Sequence, residues 1–133
     1  MNVTKVCAKD LMQKDVKTVA EKTTVLAAAK MMRDCGLSSL VVERNNEHDA
    51  LGIITRKDVV AALLAGDMGG GPELVGEIMT KPTITVSPDL SIENCLRMMR
   101  MTGVRRLPVV DGNKLVGILS NTDVFKCLAE NIP

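Results

Sequence analysis

Two periods of apolar residues alternate along this chain, and the alternation runs through twice. At Val16–Val19 and again at Thr83–Val86, β-branched residues recur with the two-residue period of a short strand. Polar turns follow, Ala20-Glu21-Lys22-Thr23 and Ser87-Pro88-Asp89-Leu90, and then the period lengthens to that of a helix. Thr24 and Ser91 stand where N-caps belong; behind them Val25, Ala28, Ala29 and Met32, or Ile92, Cys95, Leu96 and Met99, return to one face. Gly36 and Gly103 predict left-handed stops. Hairpins are predicted next, Ser39–Glu43 with Leu51–Thr55 and Leu107–Val110 with Val116–Ser120. A last helix is predicted over Arg56–Ala65 in the first half and Asn121–Ala129 in the second.

The two halves are copies. At an offset of 67, Leu11-Met12 falls on Ile78-Met79, Lys14 on Lys81, Thr18-Val19 on Thr85-Val86, Met31-Met32-Arg33 on Met98-Met99-Arg100, and Gly36 on Gly103. Past the hairpin loop the offset becomes 65, aligning Gly52-Ile53 with Gly117-Ile118 and Asp58-Val59 with Asp123-Val124. The first copy therefore carries a longer loop, Arg44–Asp49, where the second has the tight turn Asp111-Gly112-Asn113-Lys114. The expected organisation is α+β: repeat 1 over 8–66, a glycine-rich linker over 67–74 and repeat 2 over 75–130. A β-α-β-β-α unit of roughly fifty residues cannot bury both faces of its sheet alone, so the copies must pack on each other. Apolar helix faces left over predict a homodimer.

Composition removes several function classes. Seventeen Lys plus Arg against sixteen Asp plus Glu leave a net charge of +1, without the basic field that binds polyanions, so nucleic acid is not an expected partner. Trp and Tyr are absent and Phe125 is the single aromatic, which excludes a base-stacking surface. The longest apolar run, Val59–Ala65, is far below the roughly 20 residues a membrane helix needs. No secretory signal is visible, so a cytoplasmic location is expected by default. The four cysteines form no Cys-x-x-Cys pair and His48 is the only histidine, so no metal site is expected and the thiols read as small buried hydrophobes. Met31, Met32, Met98 and Met99 read as core or dimer-face residues. One histidine in a charged loop builds no nucleophile–base set, and no P-loop is present; no catalytic residue is expected and the chain does not read as an enzyme.

Glu77-Ile78-Met79 before a strand, Val86-Ser87-Pro88-Asp89 before a helix, Gly103-Val104-Arg105-Arg106-Leu107-Pro108-Val109-Val110-Asp111, and Gly117-Ile118-Leu119-Ser120 followed by Asp123 resemble a cystathionine-β-synthase (CBS) domain. Both copies carry the pattern, the first more divergently, with Val41 and Glu43 where the second has Pro108 and Val110. The chain thus resembles a complete stand-alone tandem CBS pair, or Bateman module, whose repeats pack with pseudo-two-fold symmetry. That resemblance implies a regulatory protein that binds an adenosine compound (AMP, ADP, ATP or S-adenosylmethionine), requires no cofactor, and acts on an unidentified partner in trans. It further implies one cleft using Thr55, Arg56 and Asp58 with Ile84, Thr85, Val104, Arg105, Arg106 and Pro108. A second cleft would use Ser120 and Asp123 with Lys17, Thr18, Leu37, Ser38 and Ser39.

The chemistry of those residues is consistent with such a ligand. A carboxylate accepts both hydroxyls of a ribose diol, a hydroxyl beside open helix N–H groups suits phosphate, and arginine clamps phosphate oxygens. The same spacing, Thr55-x-x-Asp58 and Ser120-x-x-Asp123, is also that of a capping box, which needs no ligand. The competing function is accordingly a ligand-free structural dimerisation module.

Overall fold

The computed structural model describes residues 5–66 and 73–132; residues 67–72, most of the expected linker, lie outside them. Capping and period place most elements where the sequence predicts. Helix α2, Val25–Cys35, begins with Thr24 Oγ1 accepting from Ala27 N at 3.1 Å and ends on Gly36 at φ 64°. Its counterpart α5, Ile92–Thr102, begins with Ser91 Oγ accepting from Asn94 N at 3.2 Å and ends on Gly103 at φ 77°. Only glycine takes up this left-handed turn at no steric cost. The first hairpin pairs β2, Ser39–Val42, with β3, Gly52–Thr55, and the second pairs β4, Arg106–Asp111, with β5, Lys114–Ser120. Helices α3, Arg56–Ala65, and α6, Asn121–Glu130, follow directly.

Two short helices have too few residues to show a period in the sequence, and they decide how the chain is divided. Helix α1 is Ala8–Leu11 and α4 is Val75–Ile78. The chain forms two compact units, Met1–Val16 with Ile84–Pro133 and Lys17–Thr83, so each short helix belongs with the other copy's hairpin and long helices. Ala8 N donates to Leu90 O at 2.9 Å and Ile92 N to Val6 O at 2.9 Å. In the other unit Val75 N donates to Thr23 O and Val25 N to Glu73 O, both at 2.8 Å. Glu73 and Leu74, expected as linker, are therefore tied into the Lys17–Thr83 unit, where Leu74 also pairs with Thr24. Ala8 and Val75 are completely buried in their respective cores.

The Lys17–Thr83 unit holds a three-stranded sheet and the other unit a two-stranded one, extended by single bridges at the equivalent places. In the Lys17–Thr83 unit, β1, Thr18–Val19, runs parallel to β2, and β3 lies on the other side of β2. The exchanged segment completes the edge, with Ile53 and Thr80 trading backbone hydrogen bonds of 2.9 Å. In the second unit the predicted strand Thr83–Val86 is reduced to Val86, which bridges Val109 in parallel, and Gln13 trades bonds of 2.9 and 3.0 Å with Ile118. Helices cover the sheets with matching residues: Val25, Ala28 and Met32 in one core, Ile92, Cys95 and Met99 in the other. Two thiols depart from the expected burial, since Cys35, at the last turn of α2, is exposed and Cys7 is half-buried, whereas Cys95 and Cys127 are buried. Among the described residues, no helix is long and apolar enough to cross a membrane.

Candidate functional site

The residues to be placed cluster at one end of each sheet, where the second hairpin strand runs into a helix. In the Lys17–Thr83 unit Ser39 pairs with Thr55 in the hairpin register, and Arg56 N donates to Ser38 O at 2.9 Å. This brings Leu37, Ser38, Ser39, Thr55, Arg56 and Asp58 to one sheet end. On the neighbouring strand Lys17 O accepts from Val41 N at 3.2 Å, and Thr18 lies opposite Val41. In the other unit Arg106 pairs with Ser120, and Asn121 N donates to Arg105 O at 2.9 Å. Val104, Arg105, Arg106, Ser120 and Asp123 thereby form the equivalent sheet end, with Ile84 and Thr85 leading into Val86. Pro108 is fully buried, and its carbonyl accepts from Val86 N at 3.0 Å.

Both strand–helix junctions are complete capping boxes. Asp58 Oδ2 accepts from Thr55 N at 2.8 Å and from Thr55 Oγ1 at 2.9 Å, while Asp58 N donates back to Thr55 Oγ1 at 3.3 Å. In the second copy Asp123 Oδ2 accepts from Ser120 N at 3.4 Å and Oγ at 2.8 Å, and Asp123 N donates to Ser120 Oγ at 3.1 Å. The cap therefore uses one carboxylate oxygen of each aspartate. It also uses helix donors: with Arg56 N on Ser38 and Asp58 N on Thr55, only the Lys57 N–H of the first turn lacks a partner among the described residues, and Thr122 N–H is its counterpart. Fewer open donors face a phosphate than the bare spacing implies.

The two junctions differ in what surrounds them. Asp123 Oδ1 accepts from Gln13 Nε2 at 3.1 Å, whereas among the described residues Asp58 Oδ1 has no donor. Thr18 Oγ1 donates to Glu43 Oε1 at 2.8 Å, and the second copy has Val110 at the place of Glu43. Arg56 and Arg105 are exposed. Neither Gln13 nor Glu43 is among the expected site residues, although Glu43 stands out in the sequence as a departure from Val110. The repeat held a signal for both, since each interrupts the likeness of the copies at a position that reaches a matched motif.

Elsewhere the polar side chains read as structural. Lys81 binds Asp49 at 2.5 Å and Glu21 at 3.0 Å, and Asn45 closes the group by donating to Glu21. Lys81 holds the Asp49 carboxyl down to about 2 and Glu21 below the usual carboxylate range, while its own pKa is raised, chiefly by Asp49. His48 is exposed beside Glu47 in the Arg44–Asp49 loop. Among the described residues no cluster of His, Cys, Asp and Glu is arranged to hold a metal ion.

The CBS-domain family model matches residues 8–65 and 75–130. An uncharacterised protein of Methanopyrus kandleri is 32% identical over 118 residues, which is 88% of this chain and 60% of that protein. The chain spans only 24% of another matched relative, a homoserine O-acetyltransferase of Methanosalsum zhilinae. Among solved structures, the CBS domain pair of protein MJ0100 in complex with 5′-methylthioadenosine and S-adenosyl-L-methionine has a TM-score of 0.82 and 26% identity, covering 96% of this chain and 98% of that one. CBSX2 in complex with AMP has a TM-score of 0.77 and 26% identity, covering 93% and 96%. Duplicated motifs, equivalent backbone pairings in the two units and these likenesses agree that this chain belongs to the CBS-domain family, as a tandem CBS pair.

Proposed function

We propose that the chain is a regulatory module that binds an adenosine compound at sites centred on Asp58 and Asp123 and passes the occupancy to a partner protein in trans. The observation that carries this reading is the division of labour within Asp58: Oδ2 holds the helix cap while, among the described residues, Oδ1 is open. An ionised carboxylate has about four lone-pair positions, so a capping aspartate keeps acceptors for a ribose diol. Cap and ligand site are then one arrangement rather than alternatives. The bound 5′-methylthioadenosine and S-adenosyl-L-methionine of the MJ0100 pair and the AMP of CBSX2 support an adenosine ligand. Arg56 opens the helix at the first junction and the Arg105 carbonyl accepts from Asn121 N at the second; both residues are exposed cations, and they favour a phosphorylated ligand such as AMP, ADP or ATP.

A thermal-shift panel of AMP, ADP, ATP and S-adenosylmethionine, with GTP as control, tests the proposal. A ligand at a hundred times its dissociation constant adds about 2.7 kcal/mol of stability. Because Trp and Tyr are absent, nucleotide that co-purifies would dominate the near-ultraviolet absorbance. Melting indifferent to every adenosine compound would leave the complete capping boxes as the whole purpose of both motifs, the reading of a structural dimerisation module.

A further inference from the structure

Asp58 and Asp123 occupy equivalent places in the two units with unequal partners. Among the described residues, Asp58 receives two hydrogen bonds, both on Oδ2, and Asp123 receives a third, on Oδ1, from Gln13. The backbone of Gln13 is fixed by its paired bonds to Ile118, so its side chain projects from an anchored edge. In the other unit Thr80 holds that edge through paired bonds to Ile53, and among the described residues its shorter side chain makes no hydrogen bond to Asp58. The chain therefore contains its own comparison, with one aspartate open toward a ligand and one already answered by an amide.

We propose that Gln13 is a specificity-determining residue that competes with a ribose diol for the Asp123 carboxylate. This rests on the reading of both aspartates as diol acceptors. A diol approaching Asp58 exchanges water for the carboxylate, whereas a diol approaching Asp123 must first displace the Gln13 amide, whose hydrogen bond is charge-assisted. Gln13 is exposed, so its amide can swing into solvent without opening the core. The consequence is a chain with one readily filled site and one that fills only at higher ligand concentration.

Calorimetry with AMP and 2′-deoxy-AMP on the wild type, Gln13→Thr and Gln13→Thr/Asp123→Asn tests this. Gln13→Thr installs what the other unit carries at this place, and Gln13→Ala serves as a second variant. The wild type should show a tight and a weak event. Gln13→Thr should strengthen the weak one about tenfold for AMP and leave it unchanged for 2′-deoxy-AMP, since only the diol competes with the amide. Adding Asp123→Asn should cancel the gain. A weak event that Gln13→Thr and Gln13→Ala leave unchanged or weaken, or a gain equal for both nucleotides, overturns the proposal while binding at Asp58 persists. Absence of binding by AMP, ATP and S-adenosylmethionine alike overturns the adenosine reading and this one with it.

Discussion

Gly117 lies directly against Met12: a methyl group on its Cα would collide with the Met12 Sδ and sit 2.8 Å from its Cγ. The same methyl would approach Gln13 O at 3.0 Å, and in the other copy a methyl on Gly52 would approach Met79 Sδ, Thr80 O and Val42 Cβ, each at 3.2 Å. The glycine of each Gly-Ile motif is thus the place where the exchanged segment crosses the hairpin. Gly117→Ala should destabilise by about 1–3 kcal/mol through overpacking. Urea denaturation checks it, and Met12→Ala should restore part of the loss in the double variant, because the methionine side chain is what must move.

Separating cap from ligand at the aspartates needs a substitution that keeps one and alters the other. Asn retains a carbonyl oxygen for Thr55 N or Ser120 N, so Asp58→Asn and Asp123→Asn should change the melting temperature little. Neutralising the carboxylate should weaken the bond to a diol, at Asp58 most visibly. Asp58→Ala also removes the carboxylate half of the box, leaving the residue-58 N–H on Thr55 Oγ1, and should cost about 1 kcal/mol. If Asp58→Asn lowers the melting temperature as far as Asp58→Ala while AMP binding is untouched, the aspartate serves the cap alone.

The Lys81 group predicts an acid dependence of known sign. Asp49 titrates near 2 in the folded chain, below its ordinary value of about 3.9, so its contribution is complete above the unfolded pKa and is lost as pH falls through 4 toward 2. Glu21, also lowered, acts in the same direction. Lys81, raised above 10.5, contributes fully below its unfolded pKa and loses that contribution only in strong alkali. The gap in melting temperature between wild type and Lys81→Met should be widest near neutrality and close between pH 4 and pH 2. A gap independent of pH would mean that the lysine acts through packing and not through its charge.

Local rules carried the sequence reading far. Thr24, Ser91, Gly36 and Gly103 act within one turn of themselves, and the strand–helix junction at Thr55–Arg56 coincides with its expected place. What escaped was non-local or too short to have a period. Four-residue helices such as Ala8–Leu11 complete barely one turn, and nothing in that stretch says that it packs beside Leu90 and not beside Val25. The candidate site followed the same division. Thr55 and Asp58 were legible as a pair, because the box is local, but Gln13 reaches Asp123 across 110 residues of sequence. Lys14 and Lys81 align in the repeat, yet the acidic partners Glu21 and Asp49 that define Lys81 come from elsewhere in the chain.

The helices leave apolar side chains that neither core accounts for. On α6 and just beyond it, Phe125, Leu128 and Ile132 recur at helical spacing with 69, 36 and 71% of their surface exposed, and α3 presents Val60 and Leu64 at 47 and 68%. Val60 and Phe125 are equivalent in the repeat at the offset of 65, so both copies present an apolar residue at the same place. A second copy of the chain covers two such repeat-related patches economically, because a two-fold axis lets each chain offer and receive the same surface. The expected state is a homodimer whose dissociation needs no unfolding. Phe125→Asp should abolish it by placing a charge in the contact, and since the ring is exposed within the chain, the variant should stay folded. Sedimentation measures the outcome: a wild type that remains a 14.3 kDa species at micromolar concentration, or a Phe125→Asp variant that still sediments as a dimer, removes α6 from the interface.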